Sequence, residues 1–421
     1  MNFNNMKRLF LLLFALLFAL LTAFACGCKE EQSAKDFVNA NDYGVLTTNC
    51  GEINSQNLQA LLDSLSNEGG RVYIPAGKYE FASNGSQTIG NHCIKMPSNV
   101  SIFGDKDKTV LMPAGESNYG LDMFYFNDYL DINTPNYLEN CTFENFVIDG
   151  ANTSLLTYTS AGKGFMFNLF KNCHWKNVTV KNTDATGFGV DCPIDSTITN
   201  CVAINCGKAG VNNSSGASGF GIGFGYANAE SITISNCIAQ NNKKFGFFFE
   251  HQGRFNGKKY CATQGYDFKV LNCEASNNLY NFGGIFTTNT LYENCSSQNS
   301  VEYGFYFENS ANSIAKNCSS TGDKIACFAI TQTNKHKVNG VCFENCVGND
   351  SPCGVKIVAE GGAVVNNNRV KNCVFTNLTI YTVFVEGSMQ SLSLIGNSSN
   401  ASLNLFNAEI VYFENLQNSW N

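Results

Sequence analysis

Along most of this chain apolar and polar residues alternate in short runs, each cut by a turn rich in Asn or Gly. A period of two is the pattern of a strand with one buried face. Arg71–Tyr79 (RVYIPAGKY) reads as strand, turn and strand, and Ser98–Asp105 repeats that texture. Further on, an aromatic-Gly-apolar triplet marks one strand per repeat: Phe188-Gly189-Val190, Phe220-Gly221-Ile222, Phe245-Gly246-Phe247, Phe282-Gly283-Gly284 and Tyr303-Gly304-Phe305. One segment departs. Over 55–67, Leu58, Leu61, Leu62 and Leu65 fall at helical spacing, with Asn54 or Ser55 as the cap and Gly69-Gly70 as the stop.

A second periodicity lies over the first. Asn-Cys recurs along the chain, and nine of its eleven occurrences, ending at Cys141, Cys173, Cys201, Cys237, Cys273, Cys295, Cys318, Cys346 and Cys373, follow one another at intervals of 22 to 36 residues. Units of this length bury an apolar face only by stacking on neighbours, which defines a solenoid. Nine cysteines at one place in each repeat predict an inward ladder of free thiols, about 4.8 Å from rung to rung, in preference to a disulfide framework. With no Cys-x-x-Cys and 4 His, the cysteines do not read as metal ligands. Asn and Gly suit the left-handed angles of tight corners.

Residues 1–28 read as an export signal: Lys7 and Arg8, the uncharged run Leu9–Ala25, then Cys26 and Cys28. Small residues before a cysteine resemble a bacterial lipobox, with either cysteine as the acylated residue; an uncleaved anchor is the alternative. The expected location is outside the cytoplasm, as a cell-envelope lipoprotein or secreted protein, touching membrane only through this segment. Residues 29–41 are a polar linker. The net charge of −7 becomes about −9 without Lys7 and Arg8, which argues against nucleic acid as a partner.

The run "DYG … NLQALLDSLSNEGGRVYIPAGKYEF … SNVSIFGD", with Asn145–Gly150 (NFVIDG), resembles the opening of the pectate-lyase-like superfamily. That resemblance implies an all-β fold, a right-handed parallel β-helix with a short N-terminal capping helix. Residues 42–110 would form the cap and first coils, and 111–421 the repeats. An amphipathic helix there also hides the open end of the first coil.

If the residue after each Gly of the triplets points inward, one outer strip carries Asp191, Gly223, Phe248, Ile285, Tyr306, Ala329 and Lys356. A second, two residues on, carries Pro193, Gly225, Glu250, Thr287, Glu308 and Thr331. The two longest repeats gain their length around Val211–Gly216 and His251–Tyr260. Where they meet, Glu250, His251, Arg254 and Tyr306 are the candidate catalytic residues, and Asp191, Phe248, Lys258, Lys259 and Glu308 the candidate binding residues. Such a set can take the proton α to a uronate carboxyl group, as polysaccharide lyases and C5-epimerases do. Paired carboxylates would instead serve glycoside hydrolysis.

Resemblance to individual members is partial. Asn182-Thr183-Asp184 resembles the opening of the polygalacturonase signature, but no Asp-Asp pair or Gly-His-Gly follows, and a turn explains it better. Asp191-Cys192-Pro193-Ile194-Asp195 keeps the Asp and Pro of the epimerases' Asp-Pro-His-Glu and lacks the His. The resemblance to pectate lyases implies calcium at Asp184, Asp191 and Asp195; no other cofactor is required. His92, His174 and His336 read as structural or solvent-facing, and Trp175 as outward-facing or packed on a turn. The expectation is a protein acting on an acidic polysaccharide. A non-catalytic glycan-binding or structural surface lipoprotein is its rival.

Overall fold

A computed structural model describes residues 37–85, 88, 90–127, 135–211, 214–226, 229–252, 265–333 and 340–420. The export signal with Cys26 and Cys28, most of the linker, Arg254, Lys258, Lys259 and His336 lie outside the described residues.

The chain winds as a right-handed parallel β-helix with three strands per turn. Phe188–Ile194, Ser196–Thr199 and Val202–Ile204 make one turn, and they pair in parallel with Phe220–Phe224, Ser231–Ser235 and Ile238–Gln240 of the next. The first of the three faces bears the candidate site. Its strands include β1 (His92–Lys95), β2 (Asp122–Phe126), β3 (Phe165–Lys171), β4 (Phe188–Ile194), β5 (Phe220–Phe224), β6 (Phe245–His251), β7 (Tyr280–Ile285), β8 (Tyr303–Glu308), β9 (Ala326–Gln332) and β10 (Cys353–Ala359).

A file of phenylalanines runs up the inside of this face. Phe124, Phe165, Phe188, Phe220, Phe247, Phe282, Phe305 and Phe328 are each fully buried. Successive ring centroids lie 5.4, 5.4, 4.7, 4.7, 5.0, 4.8 and 5.1 Å apart, all stacked. Parallel in-register strands force equal side chains into such files, and offset stacking is the arrangement aromatic quadrupoles favour. Trp175 belongs to this core. It is fully buried and stacked on Phe143 at 5.5 Å, which corrects the outward placement: alternation from the inward Cys173 returns Trp175 to the inside.

The Asn of each of these nine spaced Asn-Cys pairs has φ between +51 and +58°, so each turns a corner in the left-handed region that Asn tolerates. Their amides bond between rungs, as from Asn172 to Asn140 (2.8 Å) and Asn294 to Asn272 (3.2 Å). The thiols are buried and free, but they do not occupy one position. Cys141 and Cys173 adjoin, with the His174 amide donating to the Cys141 carbonyl at 2.9 Å. Cys201 aligns instead with Val178, because Val202 pairs with Thr179, and it starts a separate file through Cys237, Cys273, Cys295, Cys318, Cys346 and Cys373. With Asn205-Cys206 (φ +54° at Asn205) following the third strand of its turn, three corners of the solenoid use the same dipeptide.

The capping helix α1 spans Gly51–Leu65 and starts earlier than the spacing predicts, with Cys50 as its N-cap. Asn54 and Ser55 lie inside it and staple it to the first coil. The Asn54 amide donates to the Leu46 and Glu80 carbonyls (3.0 Å each), and the Ser55 hydroxyl donates to the Ala82 carbonyl (2.9 Å).

One buried carboxylate makes stability depend on pH. Asp323 is 2% exposed and accepts from the Ser300 and Ser320 hydroxyls at 2.6 Å each, where earlier rungs place Asn242 and Asn278. Burial raises its pKa to about 6, against the pull of those serines. The folded state holds the proton more tightly than the unfolded chain, so the contribution of Asp323 to stability is fully present below about pH 4 and is lost as pH rises toward 6. Asp323→Asn is expected to remove this fall, which corresponds to about 3 kcal/mol. Denaturant titrations at pH 4.5 and 7.5 check it: parallel pH dependence in both proteins contradicts the assignment.

Candidate functional site

The ladder register redraws the outer strips. Asp191 pairs with Gly223, Gly223 with Glu250, Glu250 with Ile285, and Ile285 with Glu308. The three carboxylates therefore share one outward file, while Phe248 and Tyr306 belong to the neighbouring one with Gly189, Gly221 and Gly283. The correction is two residues at β4, β5 and β7. Its cause is that aromatic-Gly occupies two registers. In Phe220-Gly221 the ring faces in. In Phe245-Gly246 the ring packs outside and Gly faces in, where a Cβ would lie 2.9 Å from the Asn278 amide. Thr287 of the expected second strip is buried, its hydroxyl 3.0 Å from that of Ser310.

The candidate residues form two groups. In the first, the floor is glycine. The Gly223 N–H donates to Asp191 Oδ1 at 2.8 Å, and a Cβ on Gly223 would collide with that oxygen and lie 2.5 Å from Gln252 Nε2. At Gly225, where φ is +108°, a Cβ would lie 2.6 Å from His251 Nε2. The turn holding Gly225 is pinned from below: the fully buried Glu230 accepts from the Gly225 N–H (2.6 Å) and the Tyr226 N–H (2.8 Å). Tyr226 and Tyr137 pack together on Leu169 and Cys192, next to Asp191. Phe224 meets the His251 ring edge-on at 5.3 Å. Burial holds the His251 pKa below its ordinary 6.5, so its imidazole stays neutral at neutral pH.

The second group is aromatic. Phe245, Phe248, Tyr280, Tyr303 and Tyr306 form one cluster on the outside of β6, β7 and β8. Tyr306 stacks at 4.7 Å on Tyr280 and 5.2 Å on Tyr303, and its hydroxyl donates to Glu308 Oε2 at 3.0 Å. Burial beside Glu308 pushes its pKa up. Lys244 is 8% exposed, with its Nζ 5.6 Å from the Phe248 ring centroid. Burial lowers its pKa while Glu250 and Glu308 raise it. Sequence reading missed Lys244, Gln252, Tyr226 and Tyr280. Nothing in Lys243-Lys244 says which lysine is buried, whereas the aromatic-Gly pattern, read in two registers, would have exposed Tyr280 beside Tyr303.

The grouping separates two expected partners. His251 stands two rungs and three residues from Tyr306, or about 14 Å between Cα atoms, so the two do not meet one sugar ring. The proposed calcium ligands are also apart. Asp184 is buried in the turn before β4, 3.5 Å from Lys208 Nζ; Asp191 lies within β4; and Asp195 turns the corner after it, bonded to Ser231. An extended strand rises about 3.3 Å per residue, too far for these three to share an ion. Among the described residues no three His, Cys, Asp or Glu side chains gather in a way that holds a metal. Asn182-Thr183-Asp184 is a turn, as expected, with φ of +56° at Asn182.

A parallel β-helix with a helix over its first coil and acidic and aromatic side chains along one outer face is the architecture of pectate-lyase-like proteins. This chain belongs to the rhamnogalacturonase A/epimerase, pectate lyase-like family, whose model matches residues 37–265, more than half of it. No curated relative matches it in sequence. Among solved structures, it is similar to the A-module of Azotobacter vinelandii mannuronan C-5 epimerase AlgE6 (TM-score 0.66, 18% identity, covering 91% of this chain and 99% of that one). The AlgE4 A-module of the same organism gives 0.66 at 17% identity, covering 89% and 97%. A tailspike protein of E. coli bacteriophage HK620 gives 0.57 at 15%, covering 92% and 67%. At these identities the likeness is one of fold.

Proposed function

We propose that this chain is an exported protein that acts on an acidic polysaccharide laid along the first face, by proton transfer at C5 of a uronate ring. The observation that carries the reading is the first group: a neutral imidazole, an amide and a carboxylate over a floor of glycine, with Tyr226, next in sequence to Gly225, packed on Leu169 and Cys192. Family membership and the epimerase-like fold support the substrate class.

In this reading Gln252 receives the sugar carboxylate and Asp191 a ring hydroxyl. His251 Nε2 takes the C5 proton. If the C4–O bond then breaks, the Tyr226 hydroxyl protonates the departing oxygen and a C4–C5 double bond remains, which is lyase chemistry. If the bond holds, Tyr226 returns a proton to the opposite face of C5, which is epimerisation. Tyr306, Phe248 and Lys244 hold neighbouring sugars, the rings by stacking and the ammonium by charge. Glu250 is proposed to orient the ring, and Arg254, Lys258 and Lys259 to bind the negative charge of the polymer.

A second reading has its own support. Asp191 and Glu250 lie on one outward file with Gly223 between them, their Cα atoms two rungs or about 10 Å apart, and an inverting hydrolase needs two carboxylates with room for a water between them. Incubation with oligogalacturonate, oligomannuronate and oligoguluronate separates the outcomes. Lyase action gives absorbance at about 235 nm, epimerisation changes ring-proton NMR couplings with no new chain ends, and hydrolysis gives reducing ends without absorbance. Proton transfer predicts the first or second result. Binding without any of the three leaves the non-catalytic glycan-binding protein.

A further inference from the structure

A groove of about 920 Å³ lies far from the site just described, between the outer side of α1 and β1. Its walls present Gln56, Gln59, Asp63, Asn84, His92 and Lys95. Gln59 is built in: its amide donates to the Lys95 carbonyl (3.0 Å) and accepts from the Lys95 N–H (2.8 Å), so a side chain occupies the strand edge and fixes one wall. The His92 ring lies flat on Tyr125, centroids 4.6 Å apart and planes 4° from parallel.

The position of Tyr125 gives the groove its meaning. Lys95 pairs with Tyr125, Tyr125 with Met166, Met166 with Gly189, Gly189 with Gly221, and Gly221 with Phe248. The groove and the aromatic cluster are thus two ends of one outward strip, five rungs or about 24 Å apart. Between them Gly189 and Gly221 have no side chains. The Lys163 stem lies over Gly189, where a Cβ would meet its Cδ at 2.5 Å. The His92 ring, backed by Tyr125 and with the Asn84 amide 3.2 Å from its Nε2, stands beside Gln59, and such side chains give a hydroxyl-rich ring donors that can also accept next to an aromatic surface.

We propose that the groove between α1 and β1 is a distal subsite for the same polysaccharide, engaged only by chains long enough to reach it from the Phe248–Tyr306 cluster. The proposal rests on the polysaccharide reading above. Two subsites on one rigid body act as linked modules, so affinity should step up once an oligomer spans both, and not rise smoothly with length.

End-labelled oligouronates of about four and about ten units, titrated against the whole protein by fluorescence anisotropy, test this. Gln56 and Ala60 are exposed on the groove side of α1. Gln56→Trp and Ala60→Trp, which fill the groove, are expected to leave binding of the short oligomer unchanged and to weaken the long one at least tenfold. If the long oligomer binds both variants as tightly as the parent, the distal subsite is wrong and the polysaccharide reading stands. If the parent binds neither oligomer, both fall together.

Discussion

His251→Gln is expected to lower kcat on the oligouronate turned over by the parent by about 100- to 10,000-fold, the usual contribution of a general base. His251 Nε2 lies against Gly225, where a Cβ would come within 2.6 Å of it, and burial keeps the ring neutral. A base must be unprotonated to act, so with its pKa below 6.5 the acid limb of kcat/KM should fall below that pH. Tyr226→Phe should show a comparable loss. Tyr306→Phe should not: its hydroxyl is engaged with Glu308 and it stands about 14 Å from His251, so it should raise KM with kcat largely kept. Steady-state rates from pH 4.5 to 8 check the set. A His251→Gln enzyme with full kcat, accompanied by dead Asp191→Asn and Glu250→Gln variants, would transfer the chemistry to the carboxylate pair.

How much of this was legible beforehand follows from what each motif encodes. Asn-Cys encodes a corner: an Asn that tolerates positive φ, then a small inward side chain. That requirement is local, so the dipeptide announced the solenoid and its period. Which corner it turns is not local, and Cys173 and Cys201 show the same two letters serving different ones. Aromatic-Gly failed in the same way. Phe220-Gly221 and Phe245-Gly246 look alike, yet the first Gly faces out over the strand and the second faces in against Asn278. Strand pairing across the long repeat decides between them, and no single repeat contains that information. A two-residue slip preserves inside and outside, so the candidates were recognised as outward-facing while their neighbours along the file were misassigned. His251 over Gly225 and Lys244 under Phe248 depend on that register, and for that reason they emerge only from the fold.

The same register sets the largest stability effect. Phe247→Ala is expected to cost about 3–5 kcal/mol, near the top of the range for a buried ring. Phe247 is fully buried between Phe220 at 4.7 Å and Phe282 at 5.0 Å, so truncation empties a ring-sized space and breaks two stacked contacts worth about 0.5–1.5 kcal/mol each. The strands above and below are held at ladder spacing by their backbone bonds and cannot collapse into the gap. Phe248→Ala is the internal comparison. One residue away and of the same type, Phe248 faces the outer cluster, so its loss should move the midpoint less while weakening oligouronate binding. Because a solenoid's stability resides in nearest-neighbour interfaces, the damage should concentrate at the rungs of β5, β6 and β7. Urea midpoints and amide hydrogen exchange read out both. If Phe247→Ala costs under about 1 kcal/mol, or Phe248→Ala proves the more destabilising, the inward and outward assignment of β6 is reversed and the carboxylate file goes with it.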